Sequence, residues 1–318
     1  MNGAFGPRFV RPARLLDAMI WQTARFDIDL RQPVVMGIVN ATPDSFSDGG
    51  RHGAAAAACA HCDRLLAEGA DILDIGGEST RPGAQPPDLA EELARVMPVV
   101  RHAVTLGVPV SVDTSRPEVM QAALDEGADI VNDVRALRRP GALAVVASHP
   151  RAGACLMHLR GEPDTMATLA DYGDVVAEVA DFLRTRLGEV QAAGVDSARI
   201  VLDPGIGFAK TAAHNWALLQ RQRELLAIGR PLLWGWSRKG SLGQLTGRPV
   251  GERLAASVAA ALASVQRGGH IVRVHDVAAT VDALKVWQAA GLPEAGSLKP
   301  ESCPTDAQRM PDRTPSAA

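Results

Sequence analysis

The chain has 318 residues, 47% of them hydrophobic and 22% charged, which is enough apolar material for one large core. A net charge of -3 and a pI near 6.2, with arginines spread along the chain, provide no basic field for nucleic acid. No apolar run approaches the ~20 residues that span a bilayer, and the opening MNGAFGPRFVRPAR lacks the apolar core of a secretory signal. A cytoplasmic protein without membrane or nucleic-acid partners is therefore expected.

Eight apolar, β-branched runs of strand length follow one another, each ending in polar or glycine residues. They are PVVMGIVN (33 to 40), ADILDIGGE (70 to 78), VPVSVDT (108 to 114), ADIVNDVRA (128 to 136), GACLMHL (153 to 159), RIVLDPGIGF (199 to 208), RPLLWGWSRK (230 to 239) and HIVRVHDV (270 to 277). Between them lie segments with helical period. The stretch from Thr114 to Gly127, for example, has Pro117 near its start and a glycine just past its end.

Near-continuous hydrophobic strands alternating with helices predict a parallel sheet covered on its outer face. Eight such units are the number that closes a (β/α)8 TIM-type barrel, here as a single domain. A doubly wound open sheet is the competing architecture, but no Gly-x-Gly-x-x-Gly turn follows the first strand. Residues 1–30 read as a partly flexible N-terminal extension, 31–290 as the barrel, and 291–318, rich in Pro, Ser and charge, as a disordered tail.

The cysteines at 59, 62, 155 and 303 are too few and scattered for a disulfide framework. Cys59 and Cys62 form a Cys-x-x-Cys pair, but it lies in AAAAACAHCDRLLAEG without a second pair. It reads as small residues packing a helix.

In such barrels the chemistry sits on loops leaving the C-terminal ends of the strands. Those ends carry Asn40, Glu78 with Thr80 and Arg81, Asp113, Asn132 with Asp133, His158, Asp203, Ser237 with Arg238 and Lys239, and Arg273 with His275. A carboxylate inside an apolar strand needs a partner, and a ligand with N–H donors supplies one. That reading is favoured for Asp113 and Asp203. For Asp74 and Asp133 it stays level with a simple loop-tying role.

Lys239 and Arg273, with loop amides around Gly205 and Gly207, point to a phosphate-bearing substrate. His158 reads as structural. His275 reads as functional because Arg273, two residues earlier, faces the same side of a strand.

The motifs together resemble the dihydropteroate synthase family. MGIVNATPDSFSDGG (36 to 50), GADILDIGGESTRPGA (69 to 84), PVSVDTSRPEV (109 to 119), DIVNDVRAL (129 to 137), CLMHLRGEPDTM (155 to 166), VLDPGIGFAK (201 to 210), GWSRK (235 to 239) and IVRVHDV (271 to 277) carry the likeness in the family's order. The resemblance implies a (β/α)8 barrel, a homodimer, and Mg2+ assisting departure of pyrophosphate. The substrates it implies are a dihydropterin pyrophosphate and p-aminobenzoate.

By the same resemblance Asp113, Asn132, Asp203 and Lys239 hold the pterin, with apolar contact from Met157 and Phe208. Asn40, Thr80, Arg273 and His275 surround the pyrophosphate, with Asn40 also a ligand of the metal. The aminobenzoate pocket takes Phe46, Thr80, Arg81, Pro82, Lys239 and Ser241, and Asp44 and Ser45 belong to the loops closing over it. Catalysis would then rest on Asn40, Thr80, Lys239, Arg273 and His275.

Two positions depart from the family pattern. Gly240 stands where a serine usually follows SerArgLys, and Ile206 stands where phenylalanine is common. The alternatives are a methyltetrahydrofolate-dependent methyltransferase, which needs no pyrophosphate site, and a noncatalytic pterin-binding paralogue.

Overall fold

The computed structural model describes residues 20–41, 50–78, 86–162 and 165–291. A hairpin opens it, β1 Ile20–Gln22 and β2 Asp27–Asp29. The barrel units follow as β3 Val34–Asn40, α1 Gly50–Ala67, β4 Ile72–Gly76, α2 Leu89–Val104, β5 Val110–Asp113, α3 Pro117–Asp125, β6 Ile130–Asp133, α4 Ala142–Ser148, β7 Gly153–Met157 and α5 Val175–Ala192. The second half comprises β8 Ile200–Asp203, α6 Ala212–Gln220, α7 Gln222–Leu226, β9 Leu233–Trp234, α8 Gly240–Thr246, α9 Leu254–Gln266, β10 Ile271–Val274 and α10 Val277–Ala289.

Strands β3 to β10 form one parallel sheet in the order β8-β7-β6-β5-β4-β3-β10-β9. A parallel bridge between Leu202 and Leu232, with Leu202 N donating to Pro231 O at 2.9 Å, joins the two edges. All eight expected strands are present, each within its sequence run. Closure removes the free edges of this eight-stranded sheet.

Side chains alternate along each strand. Val35, Val39, Leu73, Ile75, Val112 and Val131 face outward into one continuous core shared with the helices. Met36, Ile72, Ile130, Cys155, Val201, Leu233 and Ile271 face inward and fill the lower barrel as a separate apolar cluster. Higher up, the same inward rows turn polar at Asp74, Ser111, Asp113, Asn132, Asp203 and Arg273. The barrel is thus apolar at its floor and charged at its mouth.

The floor is completed by the hairpin. Trp21 and Leu30 are fully buried in the inner cluster, and Trp21 Nε1 donates to Arg199 O at 2.9 Å. Burying one indole contributes roughly 4 kcal/mol. Gly153 allows the close approach, since a Cβ there would stand 3.2 Å from Trp21 Nε1 and 3.1 Å from Thr23 Cγ2. Arg25 fixes the turn to the barrel through Asp129, Nη2 to Oδ2, at 2.6 Å.

Among the described residues, 20–30, which the sequence reading places in the N-terminal extension, pack against the barrel floor. Residues 1–19 and the tail from 292 lie outside the described residues.

Candidate active site

Register sets the rim. Asn40, Gly76, Asp113 and Asn132 are successive cross-strand partners on β3, β4, β5 and β6. Gly76 leaves room between two polar neighbours, because a Cβ there would lie 3.4 Å from Asp113 Cβ.

Arg273 on β10 crosses the barrel to this row. Its Nε donates to Asp74 Oδ2 at 2.6 Å and its Nη2 to Asp113 Oδ2 at 2.6 Å. Asp74 Oδ2 also accepts from Asn132 Nδ2 at 3.1 Å. Asp74 Oδ1 and Ser111 Oγ, both buried, have no partner among the described residues. Two orphaned polar atoms on the floor of a charged mouth leave hydrogen-bonding capacity for a ligand.

Burial pushes the Asp113 carboxyl up to about 7, with Arg273 pulling against it and the carboxylates of Asp74, Glu78 and Asp133 adding to the rise. Burial likewise raises Asp203, while the Gly205 amide, donating to Oδ1 at 2.7 Å, and the Lys239 charge oppose it. Lys239 Nζ stands 4.3 Å over the Phe208 ring. Desolvation, with Arg273 nearby, lowers its ammonium to about 8. Met157 and Phe208 share a small apolar cluster with Val134, Leu159, Met166 and Ala209 beside these charges.

The loop after β8 is built from glycines at φ +72 (Gly205) and +80 (Gly207). Lys210 ties it from within: its Nζ donates to Gly205 O and Phe208 O, both at 3.0 Å, and lies 2.8 Å from His158 Nδ1. Burial and the Lys210 charge hold His158 far below its ordinary value, and its ring packs edge-on to Phe182 at 4.9 Å. The structural role expected of His158 is what the geometry places there.

His275 differs. Its backbone N donates to Ser237 Oγ at 3.2 Å and its Nδ1 lies 3.0 Å from the same oxygen. The serine oxygen accepts from the amide and fixes the ring through Nδ1, and where its hydroxyl donates to Nδ1 the hydrogen sits on Nε2. Burial, with Arg238 and Arg273, keeps this ring neutral by lowering it to about 3. Arg238 is drawn off by Asp276, Nη2 to Oδ1, at 2.5 Å.

Asp133 proves to be the loop tie. It accepts from Ser115 Oγ and from the amides of Arg135 at 2.8 Å and Leu137 at 2.7 Å, holding Ala136 and Leu137 at φ +53 and +59. Asp74 goes the other way, into the site.

A cavity of about 1130 Å³ opens at this end, lined among others by Asn40, Asp113, Phe208, Lys239, Ser241, Arg273 and His275. Asn132, Met157 and Asp203 lie outside that lining: Asn132 connects to it through Asp74 and Arg273, Met157 shares a cluster with Phe208, and Asp203 feels the Lys239 charge. Phe46, Thr80, Arg81 and Pro82, with Asp44 and Ser45, lie outside the described residues. Ser241, at the start of α8, is buried and accepts from Asn215 Nδ2 at 2.8 Å, whereas a Cβ at Gly240 would meet nothing within 4 Å. The Asn40 side chain, half-buried at the end of β3, makes no hydrogen bond to another described residue.

A family model described as pterin binding enzyme matches residues 36–275. The chain is 54% identical over 279 residues to the dihydropteroate synthase of Neisseria meningitidis serogroup B, covering 86% of this chain and 98% of that one. It belongs to the dihydropteroate synthase family of pterin-binding enzymes.

Two solved synthases carry the likeness into three dimensions. The Xanthomonas albilineans dihydropteroate synthase with 4-aminobenzoic acid superposes with a TM-score of 0.81 at 52% identity, covering 86% of this chain and 98% of that one. The Burkholderia cenocepacia synthase complexed with 7,8-dihydropteroate gives 0.77 at 49% identity, with 85% and 96% covered. These synthases are single-domain (β/α)8 barrels, and the chain shares that architecture. The charged end of the chain's own barrel, where Arg273, Asp113 and Lys239 meet, is the end at which such barrels place their chemistry.

Proposed function

We propose that this chain condenses 6-hydroxymethyl-7,8-dihydropterin pyrophosphate with p-aminobenzoate, giving 7,8-dihydropteroate and pyrophosphate. It is a transferase of an alkyl group other than methyl. The observation carrying the reading is the Arg273–Asp74–Asp113 hub with its orphaned Asp74 Oδ1 and Ser111 Oγ, next to Lys239 over Phe208.

A pterin edge rich in N–H donors complements Asp113, Asn132 and Asp203. Its carbonyl and ring nitrogen complement Lys239, and Met157 and Phe208 supply apolar contact. Arg273 and His275, with Asn40 and Thr80, take the pyrophosphate. Neutral His275 serves there as a ring N–H donor.

Departure of pyrophosphate breaks the bond to the exocyclic methylene and leaves that carbon electron-poor. The aminobenzoate nitrogen then bonds to the carbon and loses a proton. The protein's contribution is positioning and neutralisation of the leaving charge. Phe46, Thr80, Arg81, Pro82, Lys239 and Ser241 are the residues proposed for the aminobenzoate side, with Ser241 acting at the start of α8.

Among the described residues no group of three or more His, Cys, Asp or Glu could hold a metal. Mg2+ does not need such a cage, because it binds through one or two protein oxygens together with substrate phosphates and water. The amide of Asn40, which bonds to no other described residue, fits that requirement, and Mg2+ held there would neutralise the pyrophosphate.

We further infer a cytoplasmic homodimer. Leu245, Val250 and Leu254, exposed by 68%, 59% and 46% on α8, the turn after it and the start of α9, support an apolar contact face. No helix among the described residues is long and apolar enough to cross a membrane.

The deciding assay measures dihydropteroate and pyrophosphate production with and without Mg2+. Metal-dependent product is expected; tight pterin binding without turnover would mark a noncatalytic paralogue.

A further inference from the structure

Two loops of the mouth are joined from behind by a side chain that nothing above assigns. Asn215, early in α6 and 1% exposed, accepts from Gly207 N on Oδ1 at 3.0 Å and donates from Nδ2 to Ser241 Oγ at 2.8 Å. Gly207 immediately precedes Phe208, and Ser241 stands two residues after Lys239. Those two residues meet in the mouth, Lys239 Nζ lying 4.3 Å over the Phe208 ring. Gly207 itself is so close that a Cβ on it would lie 3.0 Å from Lys239 Cδ.

Helix α6 does not require this amide for its own start, where Thr211 and His214 form a capping box. A buried amide group must have its polar ends satisfied, and here both are spent on site-forming loops. The link spans β8's loop on one side and β9's on the other.

We propose that Asn215, acting with Ser241, is a positioning residue that locks Phe208 and Lys239 into one pterin-holding unit, an inference that rests on the pterin role of those two residues. Ser241 then contributes through its hydroxyl's bond to Asn215. At Gly240 beside it an added Cβ would meet nothing within 4 Å, so the space there is open.

The test measures binding and steady-state turnover of 6-hydroxymethyl-7,8-dihydropterin pyrophosphate by the full chain and by Asn215→Leu, Asn215→Asp, Ser241→Ala and Lys239→Ala. Asn215→Leu should raise Kd and KM for the pterin about ten-fold with kcat within about two-fold, as expected for loss of buried anchoring bonds. Asn215→Asp, whose carboxylate accepts from both Gly207 N and the Ser241 hydroxyl, should recover most of that affinity. An asparagine with a merely structural role would lower the melting midpoint and leave the folded protein's pterin affinity alone.

Unchanged affinity in folded Asn215→Leu, alongside loss in Lys239→Ala, overturns the clamp. Unchanged affinity in Lys239→Ala strikes the pterin role of the site itself. Should Asn215→Leu fail to fold, Ser241→Ala, which removes only the far acceptor, decides: weaker pterin binding supports the clamp and unchanged binding overturns it.

Discussion

Arg273 balances two carboxylates, Asp74 and Asp113, that lie inside the barrel. Removing one partner of a buried pair leaves the other charge desolvated and costs about 3–5 kcal/mol. Arg273→Ala should therefore lose stability of that order in urea unfolding, as well as pyrophosphate affinity. Loss of affinity with no loss of stability would mean the hub does not hold in solution.

Lys239 gives a second prediction at this scale. With its ammonium lowered to about 8, the cation is present below that pH and lost above it. Pterin affinity should fall as pH rises from 7.5 to 9.5, by at most about ten-fold per pH unit. A flat profile would show that Lys239 is not the group recognising the ring.

The placement of Asp113, Asp203 and Lys239 at the mouth was legible in the sequence because each ends an apolar run, although Asp133, which ends another, turned out to tie its loop. Asp74 was read only as level between ligand and loop tie, and Ser111 was not singled out, since both lie deeper inside strands and sequence alone does not give the facing of a short buried strand. Asn215 carried no signal at all. It sits in a helix, belongs to no motif the sequence reading used, and acts through backbone and hydroxyl partners brought near only by the closed sheet.

Among the elements, the eight barrel strands were readable because burial on both faces makes each a near-continuous apolar run. The hairpin was not, since IWQ and DID are too short to show a period of two, and Trp21 gains its meaning only from the cavity it fills. Trp21→Ala should cost about 3–5 kcal/mol, and the surviving folded protein should bind pterin normally, because the indole lies at the floor. Impaired binding in the folded fraction would contradict that separation.

His270 tests the same end of the barrel. Its Nδ1 accepts from Leu232 N at 3.2 Å and its carbonyl from Val34 N at 2.9 Å, linking β9, β10 and β3. Burial lowers it from 6.5 to about 4, so the unfolded chain takes up a proton that the folded one refuses. Its contribution is fully present above pH 6.5 and is lost as pH falls toward 4, by about 1.4 kcal/mol per pH unit. The stability difference between the protein and His270→Phe should shift by that slope across the window, and a constant difference would refute a neutral buried imidazole.

For the molecule as a whole, the proposed homodimer through exposed Leu245, Val250 and Leu254 predicts association. Sedimentation should give twice the mass of the chain, and Leu245→Asp combined with Val250→Asp should yield a monomer. A monomeric parent protein would remove the dimer from the account.

The alternation of inward and outward residues along the strands carries one more consequence. Core and chemistry are written in the same phase: Val110 and Val112 anchor β5 to the helices, and Ser111 and Asp113 between and after them serve the interior. Loss of a single residue within β5 would swing Asp113 beneath the helices and turn a valine toward the substrate. An insertion or deletion inside a strand therefore fails on both counts at once, whereas one in a helix or a joining loop leaves the phase of the strands intact.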